Sequence, residues 1–178
     1  VKEIVEGIND MVAEIYRTKV VLKPGISDFL KRLQAAGVKM CVATVTDKPI
    51  VEDVLKRLNI YEYFSEIFTC AEVGYNKETP EIYREALKHL GTEKTETVVF
   101  EDVFHALKTA KKDGFKIAAV YDSHEPRQKE MKEISDNNPL FSEEMRLNMV
   151  NIDHPGKIAD FIASILNVDK KDQQRILE

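Results

Sequence analysis

Apolar positions along the chain follow two alternating patterns. Short runs in which almost every position is apolar occur at residues 38–43, 67–70, 97–100, 117–121 and 148–152. They are rich in Val and Ile on both alternating faces, the pattern of strands buried on both sides of a sheet. Between them lie stretches with apolar residues three and four apart. Pro24 and Gly25 lead into Ile26, Phe29, Leu30 and Leu33, with Gly37 as a stop. A second stripe after Asp47 runs through Ile50, Val51, Val54, Leu55 and Leu58. Thr79 and Pro80 read as an N-cap and a first-turn proline ahead of Ile82, Tyr83, Ala86, Leu87 and Leu90. A shorter helix through Ala106, Leu107 and Ala110 ends at Asp113-Gly114, and residues 155–166 predict a last one through Ile158, Phe161, Ile162 and Ile165. Strand–helix repetition at this spacing predicts an α/β fold, a three-layer Rossmann-like core with a mainly parallel sheet.

Two regions fit this repeat less well. Residues 1–20 read as one helix with Ile4, Ile8, Met11, Val12 and Ile15 on one face, and that stripe needs a partner outside the repeat, such as another helix. Residues 124–147 are highly charged and read as a surface helix and loop. The chain begins at Val1 rather than Met, inside a stretch that already reads as helix, so a processed or incomplete chain is expected.

Composition narrows the function classes. With 178 residues, 43% hydrophobic and 32% charged, the chain has the makeup of a soluble globular domain with a real core. A net charge of −5 without a basic cluster argues against nucleic acid or an anionic membrane as partner. No apolar run reaches the ~20 residues of a membrane span, and the acidic, periodic N-terminus is unlike a signal peptide. Cys41 and Cys70 sit in apolar runs with no CxxC or Cys/His spacing, and the four histidines are scattered. A reducing cytoplasmic setting is expected, and zinc is not.

Ligands of open α/β sheets collect at the carboxyl ends of the strands. There the sequence places Thr44 and Thr46, then Lys77, then the acidic pair Glu101 and Asp102, and Asp122. Hydroxyls and a lysine suit phosphate oxygens; two carboxylates suit a hard cation such as Mg²⁺. Each residue also has a plainer reading. Thr44 or Thr46 could cap the helix that begins near Lys48, Lys77 could be a solvated charge, and Asp102 could cap the helix through Ala106. His105 reads as a helix-surface residue. Neither GxGxxG nor GxxxxGK[ST] occurs, and the order hydroxyl, lysine, acidic pair is not that of a receiver domain.

That order resembles the haloacid dehalogenase superfamily, in its β-phosphoglucomutase and phosphoglycolate-phosphatase-like branch. LKPGISDFLKRLQAAGVKMCVAT is similar to the family's lead-in and second motif. LNIYEYFSEIFTCAEVGYNKETPEIYREALKHLG is similar to the segment carrying the third, and VVFEDVFHALKTAKKDGFKIAAVYD to the fourth. The resemblance implies a phosphatase or phosphomutase acting on a small phosphorylated metabolite through an aspartyl-phosphate. It implies Thr44 as the second-motif hydroxyl, Thr46 as a neighbouring substrate contact, Lys77 as the third-motif lysine, and Glu101 and Asp102 as Mg²⁺-binding acids. It also implies that residues 1–20 are the last helix of a helical cap domain and that 21–178 form the core.

One motif of the family is not in this sequence: DxDGT, whose first Asp is the nucleophile and whose second exchanges protons. Near the C-terminus, VNIDHPGKIAD faintly echoes it, but Pro155 stands where the second Asp would be, and the ordinary last strand and terminal helix are expected there. A sheet lacking its central strand leaves unpaired backbone and an apolar slot. Another segment, or a second copy of the chain in a homodimer, is expected to fill it. The chain is then expected to be incomplete or inactive alone, with Mg²⁺ binding weakened. The alternative expectation is a non-catalytic phosphometabolite-binding or protein-interaction domain.

Overall fold

The computed structural model describes residues 11, 13–122 and 124–135 with their side chains, and the backbone of 159–162 and 166–167. A helical segment at 13–18 (α1) precedes β1 (Val21–Leu22), α2 (Ile26–Ala35), β2 (Met40–Thr44), α3 (Lys48–Arg57), β3 (Ile67–Thr69) and the short α4 (Cys70–Val73). Then come α5 (Glu81–Leu90), β4 (Thr97–Glu101), α6 (Phe104–Lys112), β5 (Lys116–Ala119), α7 (Gln128–Ile134), β6 (Ala159–Ile162) and β7 (Leu166–Asn167). Five strands form one sheet in the order β3-β2-β6-β4-β5, every neighbouring pair parallel. β1 and β7 pair antiparallel outside it.

The all-apolar runs become strands because both faces of the sheet are covered. Along β2, Met40 and Val42 join one apolar cluster with Ile26, Leu30 and Leu33 of α2 and Val51, Val54 and Leu55 of α3. Cys41 and Ala43 join a second cluster with Ile82, Tyr83 and Ala86 of α5, Leu107 and Ala110 of α6, and Met131 of α7. Alternate residues of one strand thus enter opposite layers, the period-two geometry of a strand between two helix layers. Gly25, at φ 82°, turns the chain into α2 through left-handed backbone that residues with a side chain rarely adopt.

The described part of the expected N-terminal helix has its partner inside the core, not in a further helix. Ile15 is buried in the α2–α3 cluster, with Met11 and Tyr16 packed against it. Arg57 of α3 donates to the carbonyls of Tyr16 and Val20, which serves backbone oxygens left open at the end of α1. Within the charged stretch 124–147, α7 buries Met131; residues 136–147, and the strand expected at 148–152, lie outside the described residues.

The helix expected over 155–166 is overturned. Residues 159–162 and 166–167 are strands, and β6 lies in the middle of the sheet. Met40 and Cys41 of β2 pair with Asp160 and Phe161, while β4 pairs with the same strand from the other side. A slot between β2 and β4 would otherwise leave two rows of backbone donors and acceptors unmet, so ladder formation overrides the helical spacing of the side chains. The expectation that another segment fills a central slot therefore has a specific occupant.

Candidate active site

Strand register fixes which side chains share an edge. Cys41 of β2 and Val99 of β4 both pair with Phe161, so Thr44 and Asp102, each three residues further on, lie level at the carboxyl edge. Two strand spacings place their backbones roughly 10 Å apart. Thr44 is buried, and its Oγ1 accepts the Thr46 N–H at 3.1 Å. The helix that follows is entered at Asp47 without a side-chain cap, so neither threonine plays the capping part left open by the sequence. Thr46 is half-buried in the turn after β2.

Lys77 is no solvated charge. It is 8% exposed, and its Nζ donates to Glu101 Oε1 at the end of β4. An Asx turn just ahead, in which Asn76 Oδ1 accepts the Glu78 N–H at 3.0 Å, shapes the loop that carries it. Glu101, 1% exposed, takes a second donor on the same oxygen, the Tyr83 hydroxyl at 2.9 Å. Burial, reinforced by the Glu101 charge, pushes the Tyr83 phenol far up, which keeps it a neutral donor. In the sequence Tyr83 was only one member of an apolar stripe. Its signal was available all the same, because a tyrosine at a buried helix position carries a hydroxyl that needs a partner.

Asp102 points elsewhere. Its Oδ2 lies 3.6 Å from Lys23 Nζ, which also reaches Asp122 Oδ2 at 3.4 Å and donates to the Tyr121 carbonyl at 3.0 Å. Burial first, and then the neighbouring Glu101 charge, push the Asp102 carboxyl up to about 6 against the pull of Lys23. At Asp122 burial also pushes upward, but the His124 backbone N–H, Lys23 and the His124 ring outweigh it and hold the carboxyl below its ordinary range. Asp102 does not cap α6. Val103 is the N-cap residue, and the Phe104 N–H donates instead to Glu125 Oε2 at 3.0 Å. Sequence reasoning missed Lys23; a lysine directly before the Pro24-Gly25 turn, at the edge that collects the acids, was the available sign. His105 is exposed on α6.

Glu101 and Asp102 carry oxygens of the kind Mg²⁺ prefers. Among the described residues, however, no three His, Cys, Asp or Glu side chains are grouped to hold a metal ion. Each of the two acids also faces a lysine ammonium. These residues by themselves do not make up a Mg²⁺ site.

Among the described residues no helix is long and apolar enough to cross a membrane. In a comparison with known proteins, a 49-residue stretch is 84% identical to Lon protease of Treponema pallidum, covering 28% of this chain and 6% of that protein. Protein CbbY of Cereibacter sphaeroides is 32% identical over 108 residues, 59% of this chain and 47% of CbbY. A crystal structure of a substituted CbbY from Rhodobacter sphaeroides in complex with xylulose-(1,5)-bisphosphate superposes with a TM-score of 0.55 at 30% identity, over 59% of this chain and 48% of that one. The chain thus spans about half the length of CbbY and a small part of Lon protease. The profile of the haloacid dehalogenase-like hydrolases matches residues 1–120. With most of the sheet and the acidic edge inside that match, the chain belongs to the haloacid dehalogenase-like hydrolase family.

Proposed function

We propose that this chain carries the phosphoryl-holding part of the active site of a phosphatase or phosphomutase for a small phosphorylated metabolite. One observation carries the reading: a buried lysine fixed by Glu101 at the same sheet edge as Thr44. The bound xylulose-(1,5)-bisphosphate in the related CbbY supports a phosphorylated carbohydrate as the substrate class. In this reading the Thr44 hydroxyl and the Lys77 ammonium contact oxygens of the transferring phosphoryl group, with Thr46 beside them. Glu101 and Tyr83 hold the ammonium in place before substrate arrives, so little reorganisation is needed as charge develops. The nucleophile is an aspartate of a DxDGT segment outside this sequence. Its carboxylate oxygen bonds to phosphorus as the ester P–O bond breaks, the leaving oxygen takes a proton, and water then cleaves the aspartyl-phosphate to inorganic phosphate. The Mg²⁺ used by the family needs a carboxylate beyond Glu101 and Asp102. Residues 1–20 are read as the last helix of a cap that selects the substrate.

The test is hydrolysis of p-nitrophenyl phosphate, with Mg²⁺, by the 178-residue chain and by a chain extended upstream to include DxDGT. Turnover is expected only from the extended chain, and equal turnover by both overturns the placement of the nucleophile. Inorganic phosphate binding by calorimetry reads the holding residues separately: Lys77→Met and Thr44→Val should each weaken it by about tenfold or more. Phosphate binding without turnover in the extended chain would favour the second reading, a non-catalytic phosphometabolite-binding domain.

A 49-residue stretch of the chain is shared with Lon protease. At 6% of that protein it carries no inference of proteolysis.

A further inference from the structure

Lys23 sits in the loop between β1 and α2, far in sequence from the acids it meets. Its side chain is 11% exposed, and around its Nζ lie three oxygens from the ends of two neighbouring strands. They are the Tyr121 carbonyl at 3.0 Å, Asp122 Oδ2 at 3.4 Å and Asp102 Oδ2 at 3.6 Å. An ammonium has three donors and no acceptor: two of these oxygens lie within hydrogen-bond distance, and Asp102 pairs with the same charge. Mg²⁺ demands near-ideal octahedral oxygens at about 2.0–2.1 Å and gives up water reluctantly. An ammonium holds two carboxylates together without either requirement. A second cation brought to Asp102 meets the Lys23 charge within a few ångströms, in a partly buried place where screening is weak.

We propose that Lys23 is the resident cation of this acidic edge: it holds Asp102 and Asp122 together in place of a divalent ion, and a divalent ion gains Asp102 only when the ammonium moves away. The proposal rests on reading Glu101 and Asp102 as the acidic pair of the site. It explains how the described residues keep two carboxylates in register without three grouped metal ligands. Lys23 touches no reacting atom in this account, so it is a positioning residue for Asp102.

Mn²⁺ titration of the 178-residue chain, followed by the electron paramagnetic resonance of free and bound ion, tests it. Lys23→Met should bind Mn²⁺ on the order of tenfold more tightly than the unaltered chain. Lys23→Arg, which keeps the charge, should bind like the unaltered chain, and adding Asp102→Asn to Lys23→Met should abolish the gain. A residue that merely props the loop would not raise affinity for a cation when neutralised. If Lys23→Met does not fold, as judged by circular dichroism, Lys23→Gln carries the same expectation. Equal Mn²⁺ affinity in all variants, weaker binding in Lys23→Met, or a gain that survives Asp102→Asn would each overturn the proposal. The phosphate-binding measurement on Lys77→Met and Thr44→Val is independent of Lys23, so failure here and failure of the phosphoryl-site reading are distinguishable.

Discussion

The part of the chain matched by the family and the part beyond it meet in one sheet, to which they contribute four strands and one. Up to residue 120, two apolar clusters on opposite faces of the sheet and a buried ion pair between Lys77 and Glu101 join the parallel ladders of β2 with β3 and β4 with β5. Beyond residue 120, α7 adds Met131 to one of these clusters, and the described backbone of β6 and β7 adds ladders to β2, β4 and β1. Side-chain packing reads the sequence closely, because volume and hydrogen-bonding capacity must match at every contact. Backbone pairing does so far less, since each residue other than proline offers the same donor and acceptor. A slot in a sheet can therefore be filled by a segment that lies outside the family match, which is where β6 falls.

The strongest way to break the first region is Lys77→Met. It leaves Glu101, almost fully buried, with the Tyr83 hydroxyl but without its countercharge. Removing one partner of such a pair should cost about 3–5 kcal/mol, read as a lower urea midpoint at pH 7. The matching probe of the second region is Phe161→Pro. It removes a ladder donor and imposes a ring on a strand paired on both sides, at a cost of about 3 kcal/mol or more. Urea unfolding equal to that of the unaltered chain would show that β6 is dispensable and that the sheet holds together through its helix layers alone.

A smaller effect separates Asp102 from its neighbour Glu101. The Asp102 carboxyl is raised from 3.8 to about 6 on folding. The folded chain then binds its proton more tightly than the unfolded chain, so the stability from this group is fully present below about pH 4. It is lost as pH rises through about 6. Asp102→Asn stays neutral throughout. It should match the unaltered chain at pH 4 and exceed it by roughly 2–3 kcal/mol at pH 7, measured by urea unfolding at both values. An unchanged difference between the two pH values would mean that Lys23 holds Asp102 ionised throughout.

Much of the candidate site was legible in order but not in pairing. Thr44, Lys77, Glu101 and Asp102 stood at strand ends because the runs before them were apolar on both faces, and all four lie near the carboxyl edge of the sheet. The sequence grouped Glu101 with Asp102 as two like acids. The fold separates them, giving Glu101 to Lys77 and Tyr83, and Asp102 to Lys23. Tyr83 and Lys23 escaped because each belongs to an element read for something else, an apolar stripe and a turn. Only a three-dimensional edge brings the ends of such elements to the same carboxylates.

The alternation of doubly apolar runs with amphipathic stretches determined by itself the α/β class, the parallel arrangement and most element positions. These follow from local periodicity and from the need to cover both faces of a sheet. What only the tertiary structure decided was the fate of residues 159–162. Their spacing suits a helix, yet they form the central strand, because the unpaired backbone of β2 and β4 on either side outweighs a local preference. Partner choice among the charges was decided at the same level. Coulomb attraction depends on distance and burial, and neither is written in the order of residues along the chain.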